Sequence, residues 1–340
     1  MARAREAGHR EDFSDRIAAA VRALPPARYL LAVSGGRDSM VLLDAFARFR
    51  LDAVAAATFD HGTGPAATKA ARLVELAGTR RSIPVVSGRR EDTSTSGEAA
   101  WRAARWEFLS GWATELSATV VTAHTRDDQL ETVFMRVLRD PRNTSARGLA
   151  AMYARSPVSR PLLDIRREEI GAYAASHDVR FMDDPSNLDR AHLRNRVRLD
   201  LLPAFELASP GFGDSMIQLS RRAGEWRDSV ERVVDELGLK RIPSLVVPAP
   251  ALCKLPPEAL AVLWPAIAAR AGLALDWRGT ERLVEFTKSA RPGRKIPLSG
   301  GAEVSRTAST FVVRVSPETS SRASAKDYAR TSVGEDALYS

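Results

Sequence analysis

Short apolar runs alternate with stretches of helical periodicity through the first half of the chain. The runs rich in β-branched and other apolar residues predict four strands, at Tyr29–Val33, Ala53–Phe59, Pro84–Val86 and Ala118–Thr122. Helical spacing is seen before, between and after them, most clearly at Phe13–Leu24, Lys69–Ala77 and Glu98–Leu116. Strands that alternate with helices form parallel sheets with helices on both faces. The pattern therefore predicts an α/β fold with a doubly wound parallel sheet.

The pattern changes in the second half of the chain. Periodicity there predicts an Arg-rich helix Arg190–Leu202 closed by Pro203, a long connecting helix Asp214–Leu237, and two shorter helices, Pro256–Ala271 and Asp276–Phe286. Alternating segments at Ile296–Leu298 and Phe311–Val315 are typical of a small sheet. We therefore expect a large domain over residues 1–212, a connecting helix over 213–242, a small α+β domain over 243–316 and a disordered tail over 317–340.

Composition narrows the class of protein and the kinds of site. The 340 residues are 44% hydrophobic and 27% charged, which suits a globular protein. Lys and Arg number 50 against 42 Asp and Glu, so the net charge of +8 favours a polyanionic partner without identifying it. Cys253 is the only cysteine, which excludes an intramolecular disulfide and any site built from several thiolates. No run of about 18 apolar residues occurs, so we expect no membrane span and a cytoplasmic protein.

The first predicted strand ends in a turn that suits a phosphate group. Two glycines and two hydroxyl groups follow it, in the order Ser34, Gly35, Gly36, Arg37, Asp38 and Ser39. Such a strand-to-helix turn exposes backbone N–H groups and the positive end of a helix dipole. The Walker sequence Gly-x-x-x-x-Gly-Lys-[Ser/Thr] is absent from the chain, and a purely structural turn is the alternative. Asp38 would repel a bare phosphate, so its presence suggests a Mg²⁺ ion between the two.

A second polar cluster follows the strand predicted at Ala118–Thr122. Its members are His124, Asp127, Asp128 and Glu131. If a helix starts near Asp127, the three carboxylates share its N-terminus and favour a bound cation. Leu130, Phe134 and Val137 have the spacing of a buried stripe, so we expect the acids to face elsewhere. An ordinary acidic first turn is the alternative for the acids. His124 is either a general acid or base or a hydrogen-bonded residue at the sheet edge.

Arginines form two further candidate clusters. Arg190, Arg194 and Arg198 recur every four residues, with Arg196 beside them. This spacing predicts either a solvated helix face or a contact with a nucleic-acid backbone, which planar guanidinium groups bind well. The segment Trp101–Trp106 places Arg102 and Arg105 between two tryptophans. Because Trp106, Leu109 and Ala113 have core spacing, the arginines are the better functional candidates in that segment.

Together these segments resemble the family of tRNA(Ile)-lysidine synthases, within the group of PP-loop ATP pyrophosphatases. The resemblance covers most of residues 28–212. It rests on Ser34–Ser39 for the Ser-Gly-Gly-x-Asp-Ser loop, Trp101–Trp106, the sequence His-Thr-Arg-Asp-Asp-Gln-Leu-Glu-Thr at His124–Thr132, Arg160–Leu163, Asp184–Asn187 and Leu193–Arg198. The fold that it implies is a Rossmann-like PP-loop ATP pyrophosphatase domain over residues 1–212. The module after Pro243 is similar in pattern to the family's tRNA-binding parts.

The resemblance implies an enzyme that uses ATP and Mg²⁺ to modify a tRNA. Its partners are a tRNA(Ile) with a CAU anticodon and L-lysine, and a homodimer is one assembly that we consider. The implied catalytic residues are Asp38, His124, Asp127, Asp128 and Glu131, with Glu131 assigned to the lysine step and Asp38 and Asp128 to the metal. Besides the loop, His61 and Arg105 are implied for the nucleotide. Those implied for tRNA are Arg102, Arg190, Arg194, Asn195, Arg196 and Arg198.

Two departures from the family pattern leave rival functions open. Thr63 and Gly64 stand where Leu-Arg is usual, and Arg139–Ser145 replaces an Arg-Gly-Ser-Gly loop. One rival is a PP-loop tRNA cytidine sulfurtransferase, although those enzymes usually need paired cysteines and only Cys253 is present. The other is a catalytically inactive tRNA-binding homologue.

Overall fold

The structure is a computed structural model that describes residues 13–50, 52–62, 64–90, 98–139, 146–183, 189–241 and 244–315. Several sequence predictions lie outside the described residues. They concern Thr63, the loop 140–145, the motif Asp184–Asn187 and the tail 317–340. In the part of the chain that is described, no helix is both long and apolar enough to cross a membrane.

The first domain is built on a parallel sheet of four strands. They are β1 (Tyr29–Ala32), β2 (Ala53–Asp60), β3 (Val85–Arg89) and β4 (Thr119–Val121). Their order in the sheet is β3-β2-β1-β4, and every pairing is parallel. The chain places β2 and β3 on one side of β1 and then crosses over to place β4 on the other side. The strand order therefore reverses between β1 and β4. The predicted α/β fold is confirmed.

Helices cover both faces of this sheet. They are α1 (residues 13–22), α2 (Arg37–Phe49), α3 (Pro65–Arg80) and α4 (Glu98–Glu115). Side chains alternate between the faces of a strand, so Leu31 packs with α1, α2 and α3, whereas Leu30 packs with α4. Trp106 of α4 is buried in the second of these cores, as its spacing predicts.

Three more helices and an added sheet edge complete the domain around β4. They are α5 (Arg126–Arg139), α6 (Ala146–Ala150) and α7 (Arg167–Ser176). Ser159 extends the sheet beyond β4 through a parallel bridge to Val121. The apolar segment that follows forms a short 3-10 helix, Pro161–Asp164, which leads directly into α7. The sequence analysis missed α6 and α7.

The Arg-rich helix differs from its prediction at both ends. It begins at Leu193, and its first part, α8, spans Leu193–Arg196. A π-helical segment, Val197–Leu201, follows, and α9 (Leu202–Ala208) then continues past Pro203. Proline has no N–H group, and its ring clashes with the carbonyl four residues earlier in a regular α-helix. The wider π turn keeps the Leu202 N–H bonded to the Val197 carbonyl and moves the chain aside before the proline.

The remainder of the chain forms the long helix α10 (Phe212–Glu236) and a second core. A five-stranded antiparallel sheet has the order β5-β6-β9-β8-β7, with β5 at Lys240–Arg241, β6 at Leu245–Pro248, β7 at Lys295–Leu298, β8 at Ala302–Arg306 and β9 at Thr310–Arg314. Helices α11 (Ala249–Cys253), α12 (Pro257–Arg270) and α13 (Trp277–Ser289) pack on it around Trp264. This separate sheet confirms the predicted α+β character of the C-terminal part.

Candidate functional site

The candidate site lies where β1 and β4, neighbours in the sheet, reach their carboxyl ends. Helix α2 starts five residues after β1 ends, and helix α5 starts shortly after β4. Ligands of open parallel sheets bind at this edge, particularly where the strand order reverses. The phosphate-binding loop predicted at Ser34–Ser39 and the acidic residues of α5 therefore meet at one place.

The loop Ser34–Ser39 has the geometry of an anion cradle. Gly35 has a φ of +87°, and an added Cβ would lie 2.9 Å from the Cβ of Ala70 on α3. Ser39 Oγ lies 3.2 Å from Ser34 Oγ and donates to the Gly36 carbonyl at 2.8 Å. Gly36 caps α2 without any side-chain hydrogen bond to its first N–H groups. Those N–H groups thus point towards the sheet edge and remain suited to a bound phosphate.

Asp38 stands in the first turn of α2 and faces the acidic helix. Its carboxylate accepts a hydrogen bond from Arg37 Nε at 3.1 Å and lies 4.0 Å from Arg167 Nε. Burial and the neighbouring Asp128 carboxylate raise the pKa of Asp38 above its usual value. Two carboxylates that repel each other in this way favour a cation between them.

Asp128 is held in a fixed position by its own helix turn and by two arginines. Its Oδ2 accepts hydrogen bonds from the backbone N–H and the hydroxyl of Thr125, both at 2.8 Å. Its Oδ1 accepts from Arg167 at 3.0 Å and from Arg194 at 2.8 Å. Burial alone would raise the pKa of Asp128, but Arg194 and Arg167, together with His124 and the Thr125 N–H, lower it below its usual value. Asp128 is therefore ionised throughout the physiological pH range.

Glu131 is buried, with 1% of its surface exposed, and is surrounded by three guanidinium groups. Its Oε1 accepts from Arg167 at 3.0 Å and from Arg198 at 2.7 Å. Its Oε2 accepts from Arg194 at 2.8 Å and from Arg198 at 3.1 Å. Burial would raise the pKa of Glu131, but the positive charges lower it. The expectation that the acids of α5 all face away from its buried side is wrong for Glu131.

The same contacts correct the interpretation of the arginine stripe. Arg194 and Arg198 are 33% and 25% exposed, and both point at Glu131 instead of forming a solvated face. Arg190 pairs with the exposed Asp200, and Arg196 is itself exposed. The stripe is therefore divided between the acidic cluster and the surface.

Arg167 is the functional candidate that the sequence analysis missed. Its guanidinium reaches Asp128, Glu131 and, at 4.0 Å, Asp38. Its backbone N–H donates to Asp127 Oδ2 at 2.7 Å, so the start of α7 is joined to the start of α5. We call Asp127, Asp128, Glu131, Arg167, Arg194 and Arg198 the charge cluster; it contains three carboxylates and three guanidinium groups. The one sequence signal for Arg167 is that it follows the Arg160–Leu163 motif closely.

The two histidines of the predicted site are both shielded. His124 lies at the end of β4 with Nδ1 2.8 Å from Thr122 Oγ1. Burial, together with neighbouring arginines, lowers the pKa of His124 to about 3, so its imidazole is neutral near pH 7. His61 follows β2, with its ring 5.1 Å from that of Phe59 and 6.4 Å from that of Trp101. Burial and then the charge of Arg105 lower the pKa of His61.

Comparison with known proteins shows where the chain belongs. A family model described as a PP-loop domain matches residues 9–205. The tRNA(Ile)-lysidine synthase of Parasynechococcus marenigrum is 31% identical over 289 residues, which cover 80% of this chain and 84% of that protein. The chain belongs to the tRNA(Ile)-lysidine synthase family.

Other members of the tRNA(Ile)-lysidine synthase family match over a smaller share of their length. The protein of Rhodopseudomonas palustris is 37% identical over 220 residues, which are 61% of this chain and 62% of that protein. The protein of Geobacter sulfurreducens is 33% identical over 242 residues, and the chain covers 51% of its length. Among solved structures, the U34-tRNA thiolase NcsA from Methanococcus maripaludis is similar, with a TM-score of 0.52 and 15% identity over 63% of this chain and 78% of that chain. At that identity the likeness concerns the fold alone.

Most of the residues expected to contact tRNA in a lysidine synthase family member lie on two helices, and Arg190 precedes the second of them. Arg102 and Arg105 are half-buried on α4. Asn195 is buried, and its amide donates to the Asp189 carbonyl at 2.7 Å, which fixes the start of the Arg-rich helix. Arg196, which is exposed, lies on the outer side of the same helix.

Two carboxylates are available for the metal that is expected in a lysidine synthase family member. Among the described residues, no group of three or more His, Cys, Asp or Glu side chains is arranged to hold an ion by itself. Asp38 and Asp128 are, however, close enough for one to raise the pKa of the other. Mg²⁺ is commonly held by one or two carboxylates together with substrate phosphates and water. This pair therefore fits the ion when ATP supplies the remaining oxygens.

Proposed function

We propose that this protein is a tRNA(Ile)-lysidine synthase. The C2 oxygen of the wobble cytidine of tRNA(Ile) attacks the α-phosphorus of ATP, and pyrophosphate leaves. The ε-amine of L-lysine then attacks C2, and AMP leaves with the C2 oxygen. The observation that carries this proposal is the meeting of the Ser34–Ser39 loop with the charge cluster at one edge of the sheet.

The loop supplies the contacts that the first step needs. Pyrophosphate carries charge that is best stabilised by donors fixed before the reaction. The first N–H groups of α2 and the hydroxyls of Ser34 and Ser39 form such a set. Gly35 allows α3 to approach the loop closely, which holds the donors in place. We propose that this loop binds the β- and γ-phosphates and orients the α-phosphorus towards the base.

Asp38 and Asp128 would hold Mg²⁺ beside the phosphates, with the ion taking the place of an Arg167 or Arg194 contact on the half-buried Asp128. The ion would neutralise charge on the phosphate oxygens during adenylation. Asp128 is already ionised and fixed by Thr125, whereas the pKa of Asp38 is raised. Asp38 is therefore the carboxylate whose pKa should fall most when the ion binds.

We assign the lysine ammonium to Asp127 and not to Glu131. Both oxygens of Glu131 already accept two hydrogen bonds each from guanidinium groups. Asp127 is half-buried, and within the described part of the chain only its Oδ2 accepts a hydrogen bond, from the Arg167 N–H. A carboxylate with one oxygen available can hold an ammonium by a charge-assisted hydrogen bond. Glu131 then serves as a positioning residue that orients the three arginines.

Pyrophosphate release separates this function from its rivals. The purified protein is incubated with ATP, Mg²⁺ and unmodified tRNA(Ile) that has a CAU anticodon, with and without lysine. We expect pyrophosphate release and AMP-labelled tRNA without lysine, and lysidine by mass spectrometry with it. The Asp38→Asn variant should release no pyrophosphate, and its unfolding transition should match that of the wild-type protein. A sulfurtransferase would need a sulfur donor in place of lysine, and an inactive homologue would bind the tRNA but release nothing.

The same proposal extends to location and assembly. A cytoplasmic location fits an enzyme whose substrates are tRNA, ATP and lysine. The homodimer and the boundaries at residues 212, 242 and 316 stay predictions.

A further inference from the structure

A surface groove of about 590 Å³ runs between helix α3 and the segment that follows α7. We call it the α3 groove. Lys69, Arg72 and Leu76 line it on the α3 side, and Arg180, Phe181 and Met182 line the opposite wall. None of these residues belongs to the charge cluster or to the phosphate-binding loop.

The α3 groove is positively charged. Lys69, Arg72 and Arg180 are all exposed, and their side chains form no ion pair with any other described residue. Among the described residues, none that lines the groove is acidic. Asp178 and Asp183 flank Arg180 along the chain but lie outside the lining. This differs from the charge cluster, where each arginine is matched by a carboxylate, and the groove therefore attracts a polyanion.

The walls of the α3 groove also offer apolar surface. Leu76 is 60% exposed, and Phe181 is half-buried. Cations beside exposed apolar and aromatic side chains suit single-stranded nucleic acid, since phosphates contact the cations and bases or riboses cover the apolar surface. A purely acidic partner would leave Leu76 uncovered.

Both walls of the groove are joined to the phosphate-binding loop. The Met182 N–H donates to the Gly35 carbonyl at 2.9 Å. On the other wall, Ala70 lies between Lys69 and Arg72 along α3, and its Cβ would lie 2.9 Å from a Cβ added at Gly35. The α3 groove therefore adjoins the loop at which we propose that the base reacts.

We propose that the α3 groove binds the nucleotides that flank the modified base, with Lys69, Arg72 and Arg180 contacting their phosphates. This rests on the proposed function, because it takes tRNA as the substrate. It also explains why three cations that pair with no described residue lie next to the proposed phosphate-binding loop.

The test compares two triple variants with the same change in charge. Lys69→Gln, Arg72→Gln and Arg180→Gln together remove the cations of the groove. The control combines Arg22→Gln, Arg28→Gln and Arg80→Gln, three exposed cations at the opposite end of the domain, where β1 begins and α3 ends. Binding of the anticodon stem-loop of tRNA(Ile) is measured by fluorescence anisotropy between 50 and 200 mM KCl.

Each phosphate contact contributes a slope of about −0.7 to −0.9 in a plot of log K against log[salt]. We expect the groove variant to lose about two units of slope and the control to lose much less. The KM for tRNA should rise in the groove variant while ATP binding stays unchanged. An equal loss in both variants would overturn the proposal, as would an unchanged slope.

Two other outcomes identify a different occupant. Loss of ATP affinity in the groove variant would place the groove in the nucleotide site. If the groove variant has a different sedimentation coefficient from the wild-type protein, the groove is instead an interface between copies of this chain. Either result overturns the proposal. Failure of the proposed function is recognised separately, because the wild-type protein would then form no lysidine from ATP, lysine and the tRNA.

Discussion

Replacing Glu131 by Gln tests the charge cluster most directly. The substitution keeps the shape of the side chain and removes its charge. Four hydrogen bonds from guanidinium groups reach the carboxylate, two on each oxygen. An amide can accept on its oxygen only, so two donors would face an NH₂ group that cannot accept them. Three arginines would then lie in a partly buried site with one balancing charge fewer.

The expected cost is large for a single substitution. Removing one partner of a buried ion pair typically costs about 3–5 kcal/mol, because the remaining charge is left without compensation. Glu131 falls in that class, since 1% of its surface is exposed. We therefore expect Glu131→Gln to lower the free energy of unfolding by about 3 kcal/mol or more, measured by urea unfolding at pH 7.

The pH dependence gives a second measurement of the same cluster. The folded pKa of Glu131 is lowered, so the unfolded chain binds more protons as the solution becomes acidic. The stabilisation is complete above the unfolded pKa of about 4.3 and is lost as the pH falls towards the folded value. Glu131→Gln should therefore lose less stability between pH 6 and pH 3 than the wild-type protein.

A matched control separates burial from charge. Asp200→Asn removes a carboxylate that also pairs with an arginine of the same helical region, but this carboxylate is 43% exposed. Exposed pairs contribute about 0–1 kcal/mol, so this variant should unfold close to the wild-type protein. If Glu131→Gln costs no more than Asp200→Asn, the cluster does not stabilise the fold and our reasoning about Glu131 is wrong.

Three further predictions concern individual site residues. Gly35→Ala should weaken ATP binding, measured by calorimetry, because its φ is +87° and its Cβ would lie 2.9 Å from α3, whereas Gly36→Ala, with φ −75°, should bind ATP nearly normally. Asp127→Asn should raise the lysine concentration needed to complete the reaction about tenfold to a hundredfold while AMP-labelled tRNA still forms, and a block in that labelling would instead place Asp127 in the ATP site. The folded pKa of His124, about 3, lies below the unfolded value of about 6.5, so the protein becomes less stable as the pH is lowered between these two values. The His124→Gln variant should therefore show a smaller drop in melting temperature from pH 7 to pH 5 than the wild-type protein. An unchanged drop would contradict the burial of a neutral imidazole.

The elements that could be predicted are those with local signals. Strand β2 and helix α4 agree with their apolar patterns to within one residue at each end. Helix α7 was missed because part of its buried face is polar: Glu169 is buried, where it accepts from the Arg166 N–H and pairs with Arg16. Strand β6 was missed because it is short and ends at Pro248. In both cases tertiary contacts override the local pattern.

The site shows the same division between local and distant information. The loop at Gly35 and the acids after β4 could be predicted, because strand ends and helix starts are marked by neighbouring residues. The pairing of Arg194 with Glu131 could not, since 63 residues separate them and their approach depends on how two helices pack. Arg167 is 36 residues from Glu131 and belongs to a helix that was not predicted. The composition shows how many charged residues the chain contains, but it does not show which of them pair with each other.

The π-helical segment Val197–Leu201 has a consequence for how this region can change during evolution. A π turn holds one more residue than the α turn that it replaces. Here the π segment ends two residues before Pro203, where a regular helix would meet the proline ring. Without the proline, the wider turn would no longer be needed. Without the extra residue, the proline ring would clash with a backbone carbonyl of the helix. Among related sequences, the proline and the additional residue should therefore be gained or lost together, as a coupled substitution and single-residue insertion.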